Sequence, residues 1–182
     1  MRCRLRPLPR GLIRARRFAQ EEGVVDRTLW ICCSAERLPL ATEAFTSVLA
    51  IAVIEHIPDN MAALREAARV LQPDGHLWVT VPHALPSISP VFRLPNRLHD
   101  RRLGHLRRYD AETLVEAGDR LGLTAVDVQF TGHPIKVLQL AAARLLLPLR
   151  DRFWWWCEAR DLRRAHVRRG SMQLSVLFRR RP

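Results

Sequence analysis

Residues 45–54 hold eight apolar side chains in ten positions, with polar Thr42 and Glu43 before them and Glu55 and His56 after. A continuous apolar run of that length predicts a strand buried on both faces, as in a parallel sheet. Pro58, Asp59 and Asn60 then open a helix. Asp59 or Asn60 can cap it, Met61, Leu64, Ala68 and Leu71 form its apolar stripe, and Arg65, Glu66 and Arg69 stay outside. Gln72-Pro73-Asp74-Gly75 ends the helix with turn chemistry, and residues 76–81 read as the next strand. Strand, capped helix, turn and strand make a βαβ unit.

Upstream, residues 11–23 suit a helix with Leu12, Ala15, Arg16 and Ala19 at helical spacing and Gly23 to close it. Residues 28–33, β-branched and apolar, predict a strand on which the adjacent Cys32 and Cys33 point to opposite faces. Downstream, residues 82–108 read as a long connection rich in proline and arginine. Asp110 caps a helix striped by Leu114, Ala117 and Leu121 and ended by Gly122. Residues 123–130 follow as a strand with Val126, Val128 and Phe130 on one side, then a mostly helical insertion and a last strand over 172–178. The alternation predicts an α/β fold with an incomplete, doubly wound and mostly parallel sheet, in which the last strand can run antiparallel. The chain divides into an arginine-rich segment and helix over 1–28 and a partial domain over 29–182, with a Trp/Arg-rich helical insertion over 134–170.

Composition changes the picture in three places. The 182 residues are 48% apolar and 26% charged, enough for one real core and unlike a disordered or fibrous chain. The net charge is +12, yet of 30 basic residues only Lys136 is lysine, and the basic residues are spread along the whole chain. That skew reflects a G+C-rich genome better than a surface selected for charge, and with no recognition motif beside it no specific nucleic-acid binding is expected. Cys3, Cys32, Cys33 and Cys157 form no metal spacing, so the reading is a reduced, cytoplasmic chain with no bound metal. No apolar stretch reaches the roughly 18–20 residues of a membrane span. Residues 137–156 nonetheless end in Phe153, Trp154, Trp155 and Trp156 beside arginines, which suits peripheral contact with a membrane, a lid over a substrate or a dimer contact.

Six segments carry a resemblance. They are Ala35-Glu36-Arg37-Leu38-Pro39-Leu40, the strand from Phe45, Glu55-His56-Ile57-Pro58-Asp59, Leu64-Arg65-Glu66, Arg69-Val70-Leu71-Gln72-Pro73-Asp74-Gly75, and Gly104-His105-Leu106-Arg107-Arg108-Tyr109. In this order and spacing the chain resembles the class I, Rossmann-like methyltransferases that use S-adenosylmethionine, in the branch with the signature "LPF…FD…LEH…D…L.E..RVLKPGG". The resemblance implies that methyl transfer takes place in the crevice at the carboxyl ends of the strands. There the protein holds donor and acceptor in line and removes a proton from a protonated acceptor.

Carried onto this chain, the resemblance makes Ser34, Ala35 and Glu36 the turn that contacts the cofactor's adenine, with Ser34 where the family usually has aspartate. Ala50 and Ile51 would line the cofactor; residues of this kind also serve as plain core. His56 stands at the reaction centre as a candidate base, with Glu55 beside it either in catalysis or as the ion-pair partner of an arginine. His83, His105, Arg107 and Arg108 fall on the substrate side. Arginine forks there suit a phosphorylated or acidic acceptor, such as a nucleotide-sugar or lipid-linked glycan, although a solvated loop explains them as well.

The family's cofactor site begins with a strand ending in an acidic residue and a glycine-rich loop. No G-x-G occurs in this sequence. The expectation is a chain that enters the family pattern after the second strand, N-terminally truncated, binds S-adenosylmethionine weakly and leaves the strand at Phe45 with an open edge suited to self-association. Three readings result: a methyltransferase acting on a small-molecule or glycan-type acceptor, a non-catalytic remnant that pairs through its open edge, and a basic membrane-peripheral interaction module.

Overall fold

The computed structural model describes residues 10–88, 90–133 and 151–182. Helix α1 (Arg10–Glu21) ends where Gly23 takes a φ of 68° and the Val24 N–H returns to the Ala19 carbonyl, the expected glycine-type helix end. Strand β1 (Phe45–Ile51), helix α2 (Asn60–Val70) and strand β2 (Leu71–Pro82) form the βαβ unit, with β1 and β2 paired in parallel. Asp59 caps α2, accepting the Ala62 N–H at 2.9 Å. Beyond lie helix α3 (Pro90–Leu103), helix α4 (Ala111–Asp119), strand β3 (Leu123–Thr131), helix α5 (Asp151–Leu162) and strand β4 (Gln173–Arg180).

The four-stranded sheet has the order β1-β2-β4-β3. The last strand is antiparallel to both its neighbours, so β1, β2 and β3 all point one way and β4 alone opposes them. The core sits on the face where Leu77, Val79 and Val81 meet Phe178, Val176 and Leu174 across the β2–β4 ladder, all at most 1% exposed. Each such side chain, fully buried, contributes about 1.5–3 kcal/mol. Leu64, Ala67 and Ala68 of α2 and Leu114 of α4 complete the same cluster.

Several expectations are corrected. Residues 28–33 form no strand; Cys32 and Cys33 are exposed in extended backbone that pairs with no strand of the sheet. The run was apolar enough for a strand, but a strand also needs a neighbour. Strand β1 is half-buried on one face only: Val48 and Ala50 pack against the core, while Leu49 is 69% and Ile51 55% exposed on the other face of this edge strand of the described sheet. The connection over 82–108 contains α3, which tolerates Pro95 within it. On β3 a bulge between Ala125 and Asp127 turns Val126 outward, leaving Ala125, Val128 and Phe130 against the core. Asp110 is the N-cap residue of α4 but makes no side-chain cap bond; its carboxylate pairs with Arg168 at 3.3 Å. Much of the 137–156 stretch lies outside the described residues. Of its end, Trp155 and Trp156 are exposed, with Arg160 over the Trp156 ring at 5.5 Å. Among the described residues no helix is long and apolar enough to cross a membrane.

Candidate active site at the carboxyl end of β1

Strand β1 stops abruptly. Ala52, the first residue beyond it, has a φ of 52° and donates its N–H to the Thr80 carbonyl, which turns the chain off the sheet edge. Left-handed backbone at a non-glycine residue is a small strain held by its surroundings. One 3₁₀ turn (Ile54–His56) follows and sorts three consecutive side chains. Ile54 and Glu55 are buried and His56 is exposed.

The loop after α3 lies against this turn. The Leu106 N–H donates to the Glu55 carbonyl at 2.9 Å, and the Tyr109 hydroxyl donates to the Ile54 carbonyl at 3.2 Å. His56 and His105 meet edge to face with ring centroids 4.7 Å apart. His56 donates through Nδ1 to the Gly104 carbonyl at 3.3 Å, and His105 donates through Nδ1 to Asp100 at 2.8 Å. Glu55 is fully buried, yet neither carboxylate oxygen has a hydrogen-bond partner among the described residues. The structure thus brings His105 to the adjacent pair Glu55 and His56, in one cluster where a ligand atom from each lies within 4.8 Å of the others.

Arg107 and Arg108 are spent on internal acceptors. Arg107 donates to the Ile57 and Pro58 carbonyls at 2.7 and 2.8 Å, tying the loop to the start of α2. Arg108 holds Asp100 with two bonds and also reaches Asn96 and the His83 carbonyl. Burial alone would raise the Asp100 carboxyl; the bonds from Arg108 and His105 outweigh it and keep it below its ordinary range. Asp100 is the site residue that sequence reasoning missed. Its signal lay in the five-residue spacing to His105, readable only once α3 is known to be a helix. His83 is not on the cleft surface: it is fully buried behind Phe130, with Nδ1 bonded to the Ser171 hydroxyl at 2.6 Å, and burial lowers its pKa. An open cleft of about 320 Å³, lined by Ala84, Leu85, Pro86, Asp100, His105 and Leu106 among others, adjoins the cluster.

The 34–36 turn is held at the same end of the sheet. Glu36 accepts the Asp59 N–H at 3.1 Å, its own N–H bonds the Ser34 hydroxyl, and the Leu38 N–H donates to Glu66 of α2 at 2.7 Å. Glu66 and Arg69 form a two-bond pair, and Arg69 also holds the Leu38 and Leu40 carbonyls. The spacing of these short motifs is therefore a set of mutual contacts: one strap over α2, closed at both ends.

Residues 5–79 match the family model described as a methyltransferase domain. The chain is 31% identical over 141 residues to the methyltransferase GfsG of Streptomyces halstedii, covering 74% of this chain and 49% of that protein. It is 42% identical over 62 residues to the ubiquinone biosynthesis O-methyltransferase of Parvibaculum lavamentivorans, covering 34% of this chain and 23% of that one. Among solved structures, the geranyl diphosphate C-methyltransferase of Streptomyces coelicolor A3(2) superposes with a TM-score of 0.65 at 14% identity, over 93% of this chain and 58% of that one, which is a likeness of fold. Residues 5–79 thus carry part of a methyltransferase domain, and the fold is that of the class I, Rossmann-like methyltransferases, which use S-adenosylmethionine. The chain spans about half the length of the first of these relatives and less than a quarter of the second.

At the carboxyl end of β1 the polar 34–36 turn, the half-buried Ala50 and the exposed Ile51 leave an accessible surface. No strand ending in a carboxylate and no glycine-rich turn stands on the open side of β1 among the described residues, so the cofactor's ribose and methionine ends find no holder there.

Proposed function

We propose that this chain forms the acceptor side, and the adenine-facing wall, of an S-adenosylmethionine-dependent methyltransferase site. The observation that carries the reading is the cluster at the end of β1, where a buried carboxylate without donors adjoins an exposed imidazole. The parallel β1–α2–β2 unit sets it where ligands bind in open α/β sheets. The cofactor supplies an electrophilic methyl group when bound. The chain's own residues do the rest: Nδ1 of His56 is fixed on Gly104, leaving Nε2 to take a proton from an acceptor hydroxyl or amine, and Glu55 supplies negative charge behind it. Arg107 and Arg108 line the cleft, but their internal bonds leave less of their donor capacity for a phosphorylated acceptor.

Binding of S-adenosylmethionine by this chain alone is weaker than micromolar on this reading. Amide resonances mapped at saturating cofactor should shift at residues 34–36 and 50–52. An unmoved spectrum at those positions, or shifts confined to α5, contradicts the assignment. The open edge of β1, with Leu49 and Ile51 exposed, favours a second reading in which the chain pairs with another strand-bearing partner or itself. Sedimentation that stays monomeric at high concentration counts against self-association.

A further inference from the structure

We infer that Glu55, His56 and His105 form a binding site for a divalent transition-metal ion. The inference deepens the reading above, since it concerns the same cluster, but it rests on separate features. One is the buried Glu55 carboxylate, whose oxygens are shielded from water and take no hydrogen bond among the described residues. A charge so placed is disfavoured unless a cation meets it. Another is the pair of imidazoles. A metal-bound histidine donates its other ring N–H to a carboxylate or backbone carbonyl, which fixes the tautomer and aims the free nitrogen. Both histidines here do so: His105 through Nδ1 to Asp100, His56 through Nδ1 to Gly104. Each is left with Nε2 as its free nitrogen.

Distance agrees. One ring nitrogen from each histidine and one carboxylate oxygen lie within 4.8 Å of one another. Around one ion with bonds of about 2.0–2.2 Å, ligand atoms stand about 3–4 Å apart, a difference that small side-chain rotations close. Two imidazoles and one carboxylate select first-row dications such as Mn²⁺, Co²⁺ or Zn²⁺ over Mg²⁺ and Ca²⁺, which prefer all-oxygen shells. Three protein ligands leave positions open, and His56 is on the exposed side, so oxygens of an acceptor can complete the shell. An ion there would be held by His56, which would then not serve as the base proposed above, and would itself acidify a bound acceptor.

The test uses the full chain with Cys3, Cys32 and Cys33 replaced by serine, so that thiols outside the cluster do not compete. It is stripped with chelator and titrated with Co²⁺ by absorbance and with Mn²⁺ and Mg²⁺ by calorimetry. One Co²⁺ or Mn²⁺ per chain is expected, with Mg²⁺ weaker. E55Q and H105A should each lower affinity at least about tenfold. H56A, altered at an exposed side chain, should do the same in a protein whose circular dichroism is unchanged. Equal affinity in the parent and E55Q, or no uptake by the folded parent, overturns the site. Ion binding without cofactor-induced shifts at residues 34–36 and 50–52 removes the methyltransferase reading alone, and the converse removes the metal site alone.

Discussion

Two carboxylates in this molecule are equally buried and oppositely treated. Asp161, on α5, is 1% exposed and accepts the Gly132 N–H at 2.8 Å, the His133 N–H at 2.9 Å and the His133 ring Nδ1–H at 2.8 Å. Nε2 of His133 then donates to the Val167 carbonyl at 2.8 Å. Every group in that knot has a partner, and the knot fastens the end of β3 to α5. Glu55 is 0% exposed and receives no hydrogen bond among the described residues. A histidine lies near each carboxylate, yet near Asp161 it faces inward and near Glu55 the histidines turn their Nδ1 atoms away to other acceptors. A satisfied buried carboxylate is a rivet. An unsatisfied one, kept beside two imidazoles, is a place for something else.

The comparison breaks first at Asp161. D161A strands buried donors at Gly132 and His133, each costing about 1–3 kcal/mol, so a loss of about 3 kcal/mol or more is expected in urea unfolding. Little change would mean that the knot is ornamental and the contrast with Glu55 empty. A third carboxylate sharpens the contrast from the side of pH. Hydrogen bonds from Arg69 and from the Leu38 N–H hold Glu66 down at about 2 from its ordinary 4.5. A folded-state value depressed in this way stabilises the fold fully above about pH 4.5 and is lost as pH falls toward about 2. Urea midpoints measured across that window should drop for the parent and drop less for E66Q; parallel slopes would contradict the strap. The smallest effect is at Glu55. E55Q should leave stability unchanged or raise it by up to about 1 kcal/mol, since it removes a charge that nothing in the described fold repays.

These differences mark where the sequence was readable. The β1–α2–β2 unit was legible because its signals are local: a capping Asp59 and an apolar stripe at helical spacing; the predicted turn at 72–75 is instead an irregular start of β2, with Asp74 at a φ of 61° and a Cβ at Gly75 placed 2.8 Å from the Gln72 carbonyl oxygen. The position of Glu55 and His56 at the end of β1 followed from the same unit. Residues 28–33 misled because β propensity is judged locally while pairing is not. Arg107 and Arg108 pointed to an anionic acceptor by type alone; their partners at Ile57, Pro58, Asp100 and Asn96 are set by tertiary contacts, and Asp100 and Asn96 lie on α3, a helix hidden by its prolines. That Glu55 has no donor is likewise invisible in sequence, since it depends on what every neighbouring element fails to offer.

Thermal unfolding of the parent and E55Q, each with and without Mn²⁺ and freed of competing thiols, tests the reserved carboxylate most directly. The account predicts that E55Q melts at or above the parent when no ion is present, and that Mn²⁺ raises the parent's midpoint but leaves that of E55Q in place. An E55Q protein that melts well below the ion-free parent, or an ion effect of the same size in both, would contradict it.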